Sequence, residues 1–350
     1  MLPSFKKLCL LLISLVTLLS GCGKEPLYQS KNYIFGTLVD ISIYDESDKK
    51  ARAAAISVIQ HLQRLHNQLH PWEMGSELAQ LNDAFAHENR AVPISSNLAE
   101  IITSAKKLSV QSDGLFNPAI GGLIVTWGFQ RDEFKAINVD KTAIQQWVTA
   151  NPKMTDLVIE NGKIYTKNNS VRLDLGGFAK GYALDIARQD LLDAGIKNAL
   201  INLGGNIIAL GQHGDKPWRV GIQHPREAGA IATLDLLDGW AIGTSGDYQR
   251  YFELNGKRYC HIIDPRTGYP VQGVEAVTVL IPPAINAGLL SDVASKPIFI
   301  SVVGERLKAA KQMGVTDFML IDGQGHVFAT ASMQQHITLT DPNAKLATLH

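Results

Sequence analysis

The chain reads as an α+β protein with mixed or antiparallel sheets flanked by helices. Short β-type segments cluster between Ala199 and Ile263 and are separated by turns rather than by helices. A few long helical periodicities flank that cluster instead of alternating with it, which disfavours a doubly wound parallel sheet. The 350 residues contain no internal repeat or low-complexity segment, and their length supports a large core in one broad domain or two intimate subdomains.

Tyr33 to Tyr44 alternates apolar and polar residues and predicts a strand interrupted at Gly36. Lys49 to Leu69 predicts a helix whose apolar face carries Ile56, Ile59, Leu62, Leu65 and Leu69. Residues 70 to 89 read as irregular, with a short helical turn around Leu78 and Leu81. Ser96 to Ser112 predicts a second amphipathic helix, capped by Ser95 or Ser96 and followed by Gly114. Asp140 to Ala150 predicts a further helix, and Asn161-Gly162 predicts the turn of a hairpin joining Leu157–Glu160 to Lys163–Thr166. Lys180 to Ala194 predicts a helix stopped by Gly195, after which the β segments ALINL, IIAL, WRVGI, IATLDL, AIGT, RYFEL and KRYCHII follow. Val274 to Ile281 predicts a strand, residues 284 to 296 and Arg306 to Gln312 predict helices, and FMLI and HVFATA predict strands.

The N-terminus reads as a processing segment. Lys6 and Lys7 precede an apolar stretch, Leu8 to Leu19, that is too short to span a bilayer comfortably. Leu19-Ser20-Gly21-Cys22 resembles the lipobox of bacterial lipoproteins, in which the Cys is lipidated and becomes the new N-terminus. The alternative is a plain cleaved signal with an incidental Cys. The resemblance implies a signal peptide over residues 1–21, a lipidated tether over 22–30 and a folded domain over 31–345. It places the protein on the periplasmic face of a bacterial membrane, anchored at Cys22 by acyl chains worth ~0.8 kcal/mol per buried CH₂.

Cys9 then leaves with the leader and Cys22 carries lipid, so Cys260 is the one cysteine of the folded part. An internal disulfide and a cysteine-based metal site are excluded. Loss of Lys6 and Lys7 leaves 31 of the 33 basic residues against 33 acidic ones, which argues against general nucleic-acid affinity.

Chemistry-bearing residues concentrate between Gly243 and Gly268. Thr244-Ser245-Gly246-Asp247 predicts a turn and Asn255-Gly256 a hairpin, and His261, Asp264, Arg266 and Thr267 cluster beyond the second strand. Such polar density beside glycines reads as a wall of a binding site. A lone His on an apolar strand is often a satisfied core residue, so His261 draws its weight from Asp264 and Thr267. Asp174 to Gly181, DLGGFAKG, lies between a strand and a helix; it reads either as an anion cradle with Lys180 as a point charge or as a tight turn. Asn202 to Asn206 reads as a glycine turn, and Phe129 of Trp127-Gly128-Phe129 as core filling. Asp292 and Lys296 share one helix face at i and i+4. They read as an exposed ion pair or, more sharply, as a proton-handling or metal-binding carboxylate with its neighbour.

Together these blocks resemble the ApbE family of FAD:protein FMN transferases. The matching residues are Phe35-Gly36-Thr37, Ser76-Glu77-Leu78, Asp113 to Pro118, Trp127 to Phe129, Asp174 to Gly181, Asn202 to Asn206, Pro217 to Ile222, Thr244 to Gly246, His261 to Gly268 and Asp292. They lie in the family's order over nearly all of the mature chain. The resemblance implies an enzyme that binds FAD as substrate and splits its pyrophosphate. It would join FMN to a Thr or Ser hydroxyl of an acceptor, a flavin-carrying redox subunit, with Mg²⁺ assisting. By the family pattern Phe35, Trp72, Leu115, Phe116, Asn117, Asp174, Lys180, Thr244, Ser245 and Ile263 bind FAD. The Gly177 carbonyl and Asp292 approach the metal, and His261 sits near the pyrophosphate; Asp292, His261 and this chain's own Lys296 are the candidate catalytic residues.

Four departures stand out: Phe35 replaces the family's Met, Asn117 an acidic residue, Trp72 a Tyr, and Lys296 a metal-ligating Thr. An ammonium cannot ligate Mg²⁺. Lys296 therefore either replaces the metal's charge or leaves a site that binds FAD without turnover. An FAD pyrophosphatase and a non-catalytic FAD-binding lipoprotein are the rival readings.

Overall fold

A computed structural model of the chain describes residues 27–349 apart from 88, 89 and 132. The expected signal peptide and the expected lipidation at Cys22 lie outside the described residues. Residues 27–30 do not: they belong to the strand Leu27–Ile34, so this part of the expected tether is folded. Gly36 does not interrupt one strand either. Phe35 and Gly36 both take positive φ, 56° and 67°, and turn Leu27–Ile34 back against Thr37–Tyr44.

That hairpin starts a nine-stranded sheet whose strands lie side by side in chain order. After it come Ala199–Leu203, Asn206–Leu210, Ala241–Gly246, Val274–Ile281, Asp317–Asp322, Val327–Ala329 and Leu346–Thr348. Neighbours are antiparallel except the last pair, which is parallel. The sheet is buried on both faces. Ile208, Leu210, Val277, Val279, Phe318 and Leu320 enter the core shared with the helices. The alternating residues Ile207, Ala209, Ala276, Leu280, Met319 and Ile321 meet a three-stranded sheet of Trp218–Gln223, Ala230–Leu236 and Ile337–Leu339. This explains why Val274–Ile281 is apolar almost throughout and buried at every residue. A third cluster, Leu123, Trp127, Phe129, Ile144, Phe252 and Ile263, joins the helices Gly121–Thr126 and Lys141–Ala150 to the hairpin Tyr251–Leu254/Lys257–Cys260.

Several elements differ from expectation. The helix Asp48–Leu69 buries Ala51, Ala54, Ala55, Val58, Leu62, Leu65 and Leu69, while Ile56 is half exposed. Its inner face is alanine-rich, which hydropathy undervalues and close packing favours. Glu77–His87 is a full helix rather than a turn, begun by Ser76, whose hydroxyl accepts from Ala79 N. The helix expected over residues 284–296 is divided at Ala294 into Ala287–Val293 and Ser295–Ile300. Restarting there places Pro297 in a first turn, where its missing N–H costs nothing. Among the described residues no helix is long and apolar enough to cross a membrane.

The helix expected from Lys180 starts earlier, at Gly176, and runs to Asp193. Its glycines serve close approach to the helix Ala287–Val293. A Cβ on Gly181 would lie 2.6 Å from both Asp292 Cβ and the Gly288 carbonyl oxygen. Asp185 fixes the contact, since its carboxylate accepts from Gly288 N and Leu289 N, each at 2.8 Å. Burial pushes the Asp185 carboxyl up from 3.8 to about 7, despite those donors. A folded-state pKa above the unfolded value means that folding takes up a proton between the two, so stability falls as pH rises through that interval. Asp185→Asn should remove this component. Urea unfolding at about pH 4 and about pH 8 should show a smaller loss of stability in the variant than in the wild type. An equal loss would contradict the assignment.

Candidate active site and family

A cleft of about 640 Å³ opens between the helical side of the large sheet and the third aromatic cluster, a size typical of ligand sites. Of the residues expected at the site, Phe35, Trp72, Leu115, Phe116, Asn117, Asp174, Gly177, Lys180, His261, Ile263 and Lys296 line it. They come from hairpin turn, loops, helix starts and strand ends that are far apart in sequence. Phe35 sits at φ 56°, a conformation a bulky residue adopts only under constraint. Its ring packs edge-on against His66 at 5.3 Å, and His66 against His70 at 5.4 Å, making an aromatic corner with Trp72 nearby. Burial, followed by the neighbouring His70, lowers the His66 pKa and favours the neutral ring.

The cleft floor is cationic. Lys296 Nζ donates to Asp292 Oδ1 at 2.7 Å and to the Asp292 carbonyl at 2.6 Å. Lys180 Nζ lies 3.5 Å from Asp292 Oδ2, which also accepts from Gly181 N at 3.0 Å. Asp292 itself lies beneath the surface, 3% exposed. Burial alone would raise its pKa, but Lys180 and Lys296 outweigh burial and hold it at about 2. The Asp174 carboxylate accepts from Gly176 N at 2.7 Å at the start of the same helix, and burial raises its pKa. His261 is held by Arg250, its Nδ1 lying 3.3 Å from the Arg250 carbonyl oxygen. Burial first, then Arg250, Lys180 and Lys296, bring its pKa down to about 3, so the ring is neutral at pH 7.

Other expectations are corrected. Thr244 and Ser245 lie in the strand Ala241–Gly246, not in a turn, and do not line the cleft. Their hydroxyls pair inside the protein, Thr244 with Thr278 at 2.9 Å and Ser245 with Ser295 at 2.7 Å. Asp264, Arg266 and Thr267 build their own turn, with Arg266 paired to Asp264 at 2.8 Å, so only His261 to Ile263 of that segment reach the cleft. Asn117 borders the cleft, but its side chain bonds Ala119 N and the Pro152 carbonyl and shapes the loop. Asn202 takes the turn role, accepting from Gly205 N at 2.9 Å. Burial pushes the Cys260 thiol up to about 12, which makes it a core residue and not a nucleophile.

The donor set does not fit Mg²⁺. One Asp292 oxygen is taken by Lys296, the other by Gly181 N and Lys180. The space over Gly177 is filled by the lysine stem, since a Cβ there would meet Lys296 Cε at 2.7 Å. Among the described residues no group of three or more His, Cys, Asp or Glu could hold a metal. Mg²⁺ needs oxygen donors in near-octahedral array, and Gly177 with Asp292 does not supply them here.

Residues 35–320 match the model of the ApbE family. The chain belongs to the ApbE family. An FAD:protein FMN transferase of Rhodobacter capsulatus is 38% identical over 305 residues, covering 87% of this chain and 57% of that protein. Another, from Klebsiella pneumoniae, is 29% identical and covers 90% of this chain and 92% of its own length. The ApbE protein of Thermotoga maritima superposes with a TM-score of 0.79 at 28% identity, over 89% of this chain and 99% of that one. The α+β architecture is thus the ApbE fold.

Some lining residues of this ApbE chain carry no local sequence signal: His66, His70, Gln130 and Arg250. Gln130 Oε1 and Arg250 Nε are buried without a hydrogen-bond partner, an expensive state unless a ligand meets them. Arg250 bonds the Phe129 carbonyl through its Nη2 at 2.8 Å and borders the cleft. Replacing Arg250 by Met should weaken FAD binding about 10-fold or more while the thermal midpoint moves little. Titration of flavin fluorescence against both proteins checks this; unchanged affinity would show that Arg250 does not meet the ligand.

Proposed function

We propose that this chain transfers FMN from FAD to a Thr or Ser hydroxyl of an acceptor flavin-carrying redox protein and releases AMP. The observation that carries the reading is the cationic floor, Lys180 and Lys296 about Asp292, beneath an aromatic-lined cleft of dinucleotide size that also holds a neutral His261. Phosphoryl transfer needs positioning and charge neutralisation at the pyrophosphate more than covalent help from the protein. The acceptor oxygen bonds to the FMN phosphorus, the bond to the bridging oxygen breaks, and AMP leaves with that electron pair.

Asp292, held near 2, is a poor proton acceptor and serves to orient the two lysines. His261 is the candidate base. Part of its depressed pKa comes from Arg250, Lys180 and Lys296, and a bound pyrophosphate offsets those charges and restores basicity where the hydroxyl proton is lost. Phe35, His66 and Trp72 offer rings against which flat ligand rings pack. Mg²⁺, the family's expected assistant, is given no step here because the donor set opposes it.

Two finer proposals rest on sequence. The lipobox around Cys22 supports lipid anchoring on the periplasmic face of a bacterial membrane, and Cys22→Ala should move the protein from the membrane to the soluble fraction. The acceptor is a redox subunit met at that face.

Incubation with FAD and a candidate acceptor, read as covalent flavin fluorescence in a denaturing gel, tests the central reading. Transfer predicts a fluorescent acceptor band and one AMP per flavin attached. Free FMN and AMP without that band would indicate hydrolysis, and unchanged FAD would indicate binding alone. His261→Gln should lower turnover about 10²–10⁴-fold with FAD affinity nearly unchanged.

A further inference from the structure

Three cations, Lys180, Lys296 and Arg250, gather at the cleft floor about two carboxylates, Asp174 and Asp292, an excess of one positive charge. An uncompensated charge removed from water is costly, so such a site is built for an anion that arrives with the ligand. Lys296 is also firmly seated. Its ammonium donates to both the carboxylate and the carbonyl of Asp292, and its stem lies against Gly177. The helix that carries it restarts at Ser295, whose hydroxyl donates to the Asp292 carbonyl at 2.9 Å and pairs with Ser245 at 2.7 Å. Burial, helped by the neighbouring Lys180, lowers the Lys296 pKa, while the Asp292 carboxylate works to keep the ammonium.

We infer that the Lys296 ammonium is a built-in counter-cation for the bound diphosphate, which makes ligand binding at this cleft independent of divalent metal. The inference rests on the transferase reading for the identity of the ligand, and on this chain's own side chains for the rest. A divalent ion at Asp292 would have to displace Lys296 or sit beside two ammonium groups, and Coulomb repulsion opposes both. A resident ammonium supplies charge without being recruited from solution, and the amide of Gly177 in the first turn of its helix adds a donor nearby. Lys180, with its ammonium 3.5 Å from Asp292 Oδ2, is the second arm of the same clamp.

The test uses the purified protein, FAD titrations read by flavin fluorescence, and Mn²⁺ binding read by electron paramagnetic resonance. Wild-type affinity for FAD should agree within about 2-fold in EDTA and in excess Mg²⁺, and Mn²⁺ should not bind at the cleft. Lys296→Thr should bind FAD about 10-fold more weakly in EDTA and recover part of that loss with Mg²⁺, whereas Lys296→Arg, which keeps the charge, should remain metal-independent. Wild-type affinity that collapses in EDTA, or Lys296→Thr binding as tightly as wild type without metal, would overturn the inference. If the wild type binds no FAD in either medium, the transferase reading fails. Titration with inorganic pyrophosphate then decides the lysine's role alone: Lys296→Thr should lose affinity for it, and equal binding would refute the counter-cation.

Discussion

The carboxylate of Asp292 joins three things that the chain brings from distant places. It accepts from Gly181 N of one helix, holds Lys180 of that helix within 3.5 Å, and pairs with Lys296 of the helix that follows it. Much of the local sequence follows from keeping that carboxylate where it is. Gly181 is small because Asp292 Cβ and the Gly288 carbonyl oxygen leave no room for a side chain, and Gly177 because the Lys296 stem occupies its outer face. Asp185 ties down the start of the helix that carries Asp292. Pro297 sets the point where the following helix restarts, and Lys296 stands just before it. A buried ion cluster adds little to stability compared with apolar packing. Its value here is geometric, since it holds two cations at a cleft floor in fixed places.

Features set by local physics were legible in the sequence. Asn161-Gly162 specified its hairpin to the residue, because turn chemistry and two short alternating segments all lie within a few positions. Val274–Ile281 was equally plain as an apolar run. The misreadings around the cleft share one cause, a partner distant in sequence. Gly176 and Gly177 read as an anion cradle or a tight turn before a helix expected from Lys180, and instead begin that helix, Gly177 packed against the Lys296 stem. Thr244 and Ser245 looked like turn residues, yet they lie in a central strand, and their hydroxyls pair with Thr278 of the next strand and Ser295 of a helix. His66, His70, Gln130 and Arg250 gave no local sign, since only the fold brings them to one cleft.

Lys296 shows how a family resemblance and a physical reading correct each other. The resemblance marked Gly177 and Asp292 as neighbours of a metal, and the structure does make them neighbours, but of an ammonium group. The polar density from Gly243 to Gly268 read as a broad ligand wall. Side-chain pairing narrows that wall to Gln249, Arg250 and His261–Ile263. The resulting site is simpler than expected: two lysines, an arginine and a neutral histidine facing the place where a diphosphate's charge would lie.

The most direct measurement is a crystal structure of the protein with FAD grown in Mn²⁺, with anomalous data collected to locate the metal. The account predicts pyrophosphate oxygens within hydrogen-bonding reach of Lys180 and Lys296, His261 beside the FMN phosphate, and no anomalous peak between Gly177 and Asp292. A manganese peak there, with Lys296 swung away from Asp292, would contradict it.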